Sequence, residues 1–143
     1  MSYDFELSCT LPASPEEIYD AWLSSSGHSA MTGSPAKASK KTGAAHSAWD
    51  GYITGKNVEL MPSEKIVQTW RTSEFAENDP DSTITLTVTP LKSGARVTLR
   101  HSGVPDGQTS YEEHGWKEFY FEPMQTYFAS RGKTAKPKDG KRQ

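Results

Sequence analysis

The segment spanning residues 111–129 constrains the fold more than any other. Its apolar residues recur at helical spacing on two sides. Trp116, Phe119, Tyr120, Pro123 and Tyr127 form one stripe, and Phe121, Met124 and Phe128 form a second. A helix that covers a sheet needs one apolar face. A second face calls for a further element or a partner to pack against it. Pro123 falls mid-helix, where it removes a backbone donor and predicts a bend.

Most of the chain before this segment alternates with period two, as strands do. Tyr3, Phe5, Leu7, Cys9 and Leu11 alternate with polar residues until Pro12 ends the run. Thr83, Thr85, Thr87 and Thr89 alternate with Ile84, Leu86 and Val88; Ala95, Val97, Leu99 and His101 alternate with Arg96, Thr98 and Arg100. Residues 52–61 and 65–71 are strand-like, the latter with Ile66, Gln68 and Trp70 on one side. Asp50-Gly51 is a hairpin-turn signal before Tyr52. Ser14-Pro15-Glu16-Glu17 reads as a capping box opening a short helix, with the acids at the positive end of its dipole.

Between these segments the chain changes character. Of the twenty-five residues 24–48, eighteen are Ser, Thr, Gly or Ala, so this stretch has little to bury. A second short helix is expected over 27–32, followed by a thin edge strand over 36–41. The acidic stretch 74–81 reads as a loop. The resulting order is β–α–α–β–β–β–β–β–β–α. Hairpin-length turns make the sheet antiparallel, and only the last helix is long and apolar enough to cover it.

With 143 residues the chain is expected to form one domain over 1–130. Its 4 Trp, 6 Tyr and 5 Phe are too many for a disordered chain. Residues 131–143 carry six Lys or Arg and one Asp, with no aromatic or large aliphatic residue, and are expected to be a basic, disordered tail. The remaining ten bases and seventeen acids leave an acidic body, a poor match for nucleic acid. No apolar run approaches the ~20 residues of a membrane span, and the first residues do not read as a signal peptide. A cytoplasmic monomer is expected. The single cysteine, Cys9, cannot form an internal disulfide and reads as buried and inert.

The chemical constellations are sparse. His28, His46, His101 and His114 show no metal-ligand spacing. His101 falls on the inward face of its strand, either as a hydrogen-bonded core residue or as a polar tip in a cavity. His114 reads as capping or exposed. The pairs Glu16/Glu17 and Glu112/Glu113 sit at helix starts and read as dipole partners. No nucleophile elbow and no phosphate-cradling glycine loop is present. Catalytic and metal-ligating residues and cofactors are therefore not assigned. The aromatic residues are the informative set. Tyr52, Trp70, Trp116, Phe119, Tyr120 and Tyr127 can converge between sheet and helix, as core or as the wall of a pocket.

Several segments, in order, carry a family resemblance. Residues 55–71 (GKNVELMPSEKIVQTWR), 101–105 (HSGVP) and 115–122 (GWKEFYFE) resemble the C-terminal domain of the heat-shock-protein-90 ATPase activators. Residues 27–33 (GHSAMTG) and 48–52 (AWDGY) resemble stand-alone bacterial members, and the similarity spans roughly residues 3–130. This resemblance implies an α+β helix-grip fold of the START-like, birch-pollen-allergen-like type. In it a curved antiparallel sheet wraps a long C-terminal helix, with two short helices after the first strand. Such domains often hold sterols, lipids, polyketides or aromatic compounds between sheet and helix, whereas the eukaryotic activators bind the chaperone and stimulate its ATPase. The chain is expected to lack the N-terminal domain that precedes the module in those activators. Two expectations follow, with an enzyme of the superfamily as a third. One is a non-enzymatic domain binding a small hydrophobic or aromatic molecule among Tyr52, Trp70, Leu86, Val97, Leu99, His101, Trp116, Phe119, Tyr120, Pro123 and Tyr127. The other is a chaperone-interaction module.

Overall fold

The computed structural model describes residues 2–105 and 115–135; side chains are described from Tyr3 to Pro105 and from Gly115 to Ser130. The elements are β1 (Ser2–Leu11), α1 (Pro15–Trp22), α2 (Ser25–Thr32), β2 (Ala45–Ala48), β3 (Ile53–Met61), β4 (Lys65–Thr72), β5 (Ser82–Leu91) and β6 (Gly94–Pro105). A π-helical turn (Lys117–Phe121) then runs into α3 (Glu122–Ala135). The six strands of the described residues, one fewer than the seven of the expected order, form one curved antiparallel sheet in the order β1-β6-β5-β4-β3-β2. This is the helix-grip architecture that the strand order and the long helix imply.

Alternation sets the register. Leu7 of β1 lies opposite Leu99 of β6, and Leu99 lies opposite Leu86 of β5. The inward row Ile84, Leu86, Val88, Ala95, Val97, Leu99 and His101 is buried throughout. A one-residue slip would turn this whole row to solvent, so the pattern fixes the pairing. On β4, Ile66, Gln68 and Trp70 face inward together. The capping box forms as expected: Glu17 N–H donates to Ser14 Oγ at 3.1 Å, and Ser14 N–H donates to Glu17 Oε1 at 2.9 Å. Trp49 and Asp50 adopt left-handed φ of 53° and 56° and Gly51 one of 90°, which turns β2 into β3 at the Asp-Gly signal.

Two further expectations need correction. The edge strand is β2, at Ala45–Ala48, and residues 36–41 contribute only a single bridge, Lys37 to Ser47. The reason is that side chains take the main-chain groups a ladder would use. Ser25 Oγ donates to Ala38 O and accepts from Ala38 N–H. Ser29 does the same at Ala36. Asn57 Nδ2 donates to the carbonyls of Ser39 and Lys41. The serine-rich stretch is thereby stapled along its length, as short hydroxyl side chains permit.

The second correction concerns the long helix. Lys117–Phe121 closes with the Glu122 N–H bonded to Lys117 O, five residues back. With that wider turn, Tyr120 and Phe121, rather than Phe119 and Tyr120, return to the face of Trp116. Phe119, expected to point inward, is 52% exposed and sits edge-on to Trp49 at 5.4 Å. The two expected stripes thus merge into one buried face of Trp116, Tyr120, Phe121, Met124 and Phe128. Pro123 becomes the second residue of α3, immediately after the π turn. His114 and Glu112/Glu113 lie outside the described residues, as does the start expected for the helix at 111; α3 continues to Ala135.

Candidate functional site between the sheet and the long helix

Six rings meet where the long helix crosses the sheet. Trp116 lies with its ring centroid 5.5 Å from Trp70, 5.0 Å from Tyr120 and 5.9 Å from His101. Trp22, brought in by α1, lies 4.8 Å from Tyr120 and 4.7 Å from His28 of α2. Each element supplies its ring by its own periodicity: Trp70 and His101 from inward strand positions, and Trp22 from the last turn of α1.

The polar tips of Trp22, His28, His101, Trp116 and Tyr120 are satisfied internally. Ser82 Oγ donates to the Trp70 carbonyl at 2.6 Å, so its only proton is committed. The hydroxyl must then accept from His101 Nε2, 2.8 Å away. That leaves His101 Nδ1 unprotonated, and it accepts from the Trp116 indole N–H at 3.2 Å. At His28 the assignment runs the other way. Nδ1 lies 2.9 Å from the Trp22 carbonyl, which can only accept, so Nδ1 carries the proton. Nε2 then accepts from the Tyr120 hydroxyl at 2.8 Å. The long helix is therefore tied into the core by an indole N–H and a phenol O–H, each ending on the bare nitrogen of a neutral histidine.

The electrostatics agree with this geometry. Burial pushes His28 down to about 4, with the Trp22 carbonyl opposing the shift and His46 adding to it. Burial likewise pushes His101 down to about 3, opposed by Asp4. Burial lowers His46 as well; its Nε2 meets the Thr69 carbonyl at 2.9 Å. Burial raises the Tyr120 phenol and lifts the Cys9 thiol to about 11. A thiol held that high carries almost no thiolate at neutral pH. Among the described residues, no group of three or more His, Cys, Asp or Glu side chains could hold a metal ion.

The residues expected to line a pocket divide into three sets. Leu86, Val97, Leu99, His101, Trp70, Trp116 and Tyr120 come together, and none is more than 4% exposed. A void of ligand size would leave its walls accessible, so these described side chains enclose no such void among themselves. Tyr52, Pro123 and Tyr127 are partly buried at the margins, and Phe119 faces outward. Sequence reasoning missed Trp22, His28, Gln68 and Asn57 as members of this buried polar system. Gln68 on an apolar strand face was the available signal. Two clefts among the described residues lie on the surface. One of about 500 Å³ is bounded by Asp20, Ser24, Gly27 and Tyr127, and one of about 580 Å³ by Met61, Lys65, Val88 and Pro90.

With this geometry in hand, comparison with known proteins decides the family. The family model described as "Activator of Hsp90 ATPase homolog 1-like protein" matches residues 12–129. The chain belongs to that family. The human activator of 90 kDa heat shock protein ATPase homolog 1 is similar to it at 29% identity over 119 residues, covering 83% of this chain and 35% of the human protein. The Dictyostelium discoideum homolog is 30% identical over 121 residues, covering 84% of this chain and 31% of its own length. The chain thus spans about a third of the curated relatives it matches. Among solved structures, an HSP90 activator from Plasmodium falciparum shares the fold with a TM-score of 0.80 at 23% identity, covering 89% of this chain and 96% of that one.

Proposed function

We propose that this chain is a cytoplasmic chaperone-interaction module that engages an Hsp90-class chaperone through its outer surface and stimulates its ATPase. The observation that carries this reading is the match of the activator-homolog family model over residues 12–129. Where sheet and helix meet, the described rings pack on one another and satisfy each other's polar tips, which supports recognition through the exterior. Membership of the activator-homolog family supports the reading, and so do the names of the human and Dictyostelium relatives. Exposed Val58, Met61, Leu91 and Phe119 offer apolar contact points. The test is the steady-state ATPase rate of a purified Hsp90-class chaperone with increasing amounts of this chain. A saturable rise is expected; an unchanged rate together with no binding at micromolar concentration would overturn the reading.

A second reading, binding of a small hydrophobic or aromatic molecule, is favoured by one specific observation. The aromatic walls and polar tips of the interior are of the kind small-molecule sites use, and a π turn followed by Pro123 interrupts the helix that covers them. On this reading the helix moves outward to admit the molecule among Trp70, Leu86, Val97, Leu99, His101, Trp116 and Tyr120, with Tyr52, Phe119, Pro123 and Tyr127 at the entrance. An environment-sensitive apolar dye would then bind, and Leu99→Phe or Val97→Phe would weaken it. No dye binding would remove this reading.

A further inference from the structure

A series of hydrogen bonds runs from the long helix to the loop at the opposite edge of the sheet. The Tyr120 hydroxyl bonds His28 Nε2 at 2.8 Å, and His28 Nδ1 bonds the Trp22 carbonyl at 2.9 Å. The Trp22 indole N–H donates to Gln68 Oε1 at 3.1 Å. Gln68 Nε2 donates to Asn57 Oδ1 at 2.9 Å. Asn57 Nδ2 then donates to the carbonyls of Ser39 and Lys41, each at 2.9 Å. Tyr120, Trp22, His28, Gln68 and Asn57 are all buried.

Chemistry permits one orientation of this series. An indole nitrogen can only donate, so Gln68 must present its oxygen to Trp22 and its amide to Asn57. Main-chain carbonyls can only accept, so Asn57 must present its amide to Ser39 and Lys41 and its oxygen to Gln68. Reversing either amide would set donor against donor or acceptor against acceptor among buried groups. Asn57 also fastens the same loop through its main chain: its N–H bonds Ala44 O at 2.9 Å, and its carbonyl accepts from Gly43 N–H at 2.8 Å.

We propose that this series is a latch in which the seating of Tyr120 in the interior holds the 39–44 loop against β3, so that drawing the long helix outward releases that loop. The two regions share no direct contact in the series; they are joined through the Trp22 carbonyl and through side chains that each have a single satisfied arrangement. A molecule or partner that binds either end would thus be sensed at the other.

Amide hydrogen exchange on the full chain tests the latch. Tyr120→Phe keeps the ring and removes only the hydroxyl. Exchange at the Gly43 and Asn57 amides should then rise about tenfold or more, the scale of one lost coupling near 1.4 kcal/mol. The Val97 and Leu99 amides of β6, which report the core, should stay within twofold. So should the Lys56 amide, which neighbours the loop but bonds Thr69 Oγ1 outside the series. Gln68→Met breaks the middle of the series and should release the same two amides. In that background Tyr120→Phe should add less than twofold, because the latch is already open. Trp22→Phe replaces Gln68→Met if the latter does not fold. Gly43 and Asn57 amides unchanged in Tyr120→Phe would overturn the proposal, as would effects of the two substitutions that simply multiply.

Discussion

Acidification from pH 7 to pH 5 should destabilise this protein by far more than its surface charges would suggest. The groups that set the scale are His28 and His101, whose bare ring nitrogens accept the two hydrogen bonds that tie in the long helix; His46, also lowered by burial, acts in the same direction. In the unfolded chain each imidazole binds a proton near 6.5, but in the folded protein burial holds them at about 4 and about 3. Their folded-state values are lowered, so their contribution to stability is complete above about pH 6.5. It is lost as the pH falls below that value, because the unfolded chain then takes up protons that the folded protein refuses. At pH 5 both sites are 1.5 units below the unfolded value and still above their folded values. Each therefore costs about 2 kcal/mol, or about 4 kcal/mol together. That is a large part of the 5–15 kcal/mol that holds an ordinary domain. In urea melts followed by Trp fluorescence, the midpoint should fall by roughly 2 M, for a slope of ~1–3 kcal/mol per molar. The loss should continue towards pH 4, where His28 begins to titrate in the folded state. Midpoints at pH 7 and pH 5 that agree within about 0.3 M would refute the assignment of both rings as neutral acceptors.

Two substitutions probe the packing directly. Trp116→Ala removes a ring that touches Trp70, Tyr120 and His101 and leaves His101 Nδ1 without its donor, so it should cost about 3–5 kcal/mol in the same melts; a loss under about 1 kcal/mol would mean the ring is not held in the core. Gly55→Ala would place a methyl group 1.9 Å from Thr69 O and 2.5 Å from His46 Nε2, so a melt should show about 1–3 kcal/mol or more of destabilisation, and wild-type stability would show that β3 and β4 lie further apart.

What the sequence made legible follows from which interactions are local and periodic. The inward rows of β4, β5 and β6 were readable because one buried face makes period two unambiguous. The α1 capping box was readable because both of its partners lie within three residues. The edge strand is misread because residues 36–41 are held by Ser25, Ser29 and Asn57, and nothing in local spacing announces a side chain 7 to 18 residues away taking a carbonyl. Phe119 was placed inward because helical spacing assumes 3.6 residues per turn, whereas a π turn inserted ahead of Pro123 rotates it out. At the candidate site the aromatic residues were visible as a set, and His101 as an inward polar tip. The partners Ser82, Trp22 and His28 were not, because a hydrogen bond between residues 19 or 92 positions apart leaves no periodic trace.

If the protein's own side chains fill the space between sheet and long helix, recognition is left to the outer surface. Native mass spectrometry of gently purified protein tests it most directly. The expected spectrum shows the 15.8 kDa chain without an apolar companion; a stoichiometric small hydrophobic molecule carried through purification, and lost when Leu99→Phe fills the interior, would contradict it.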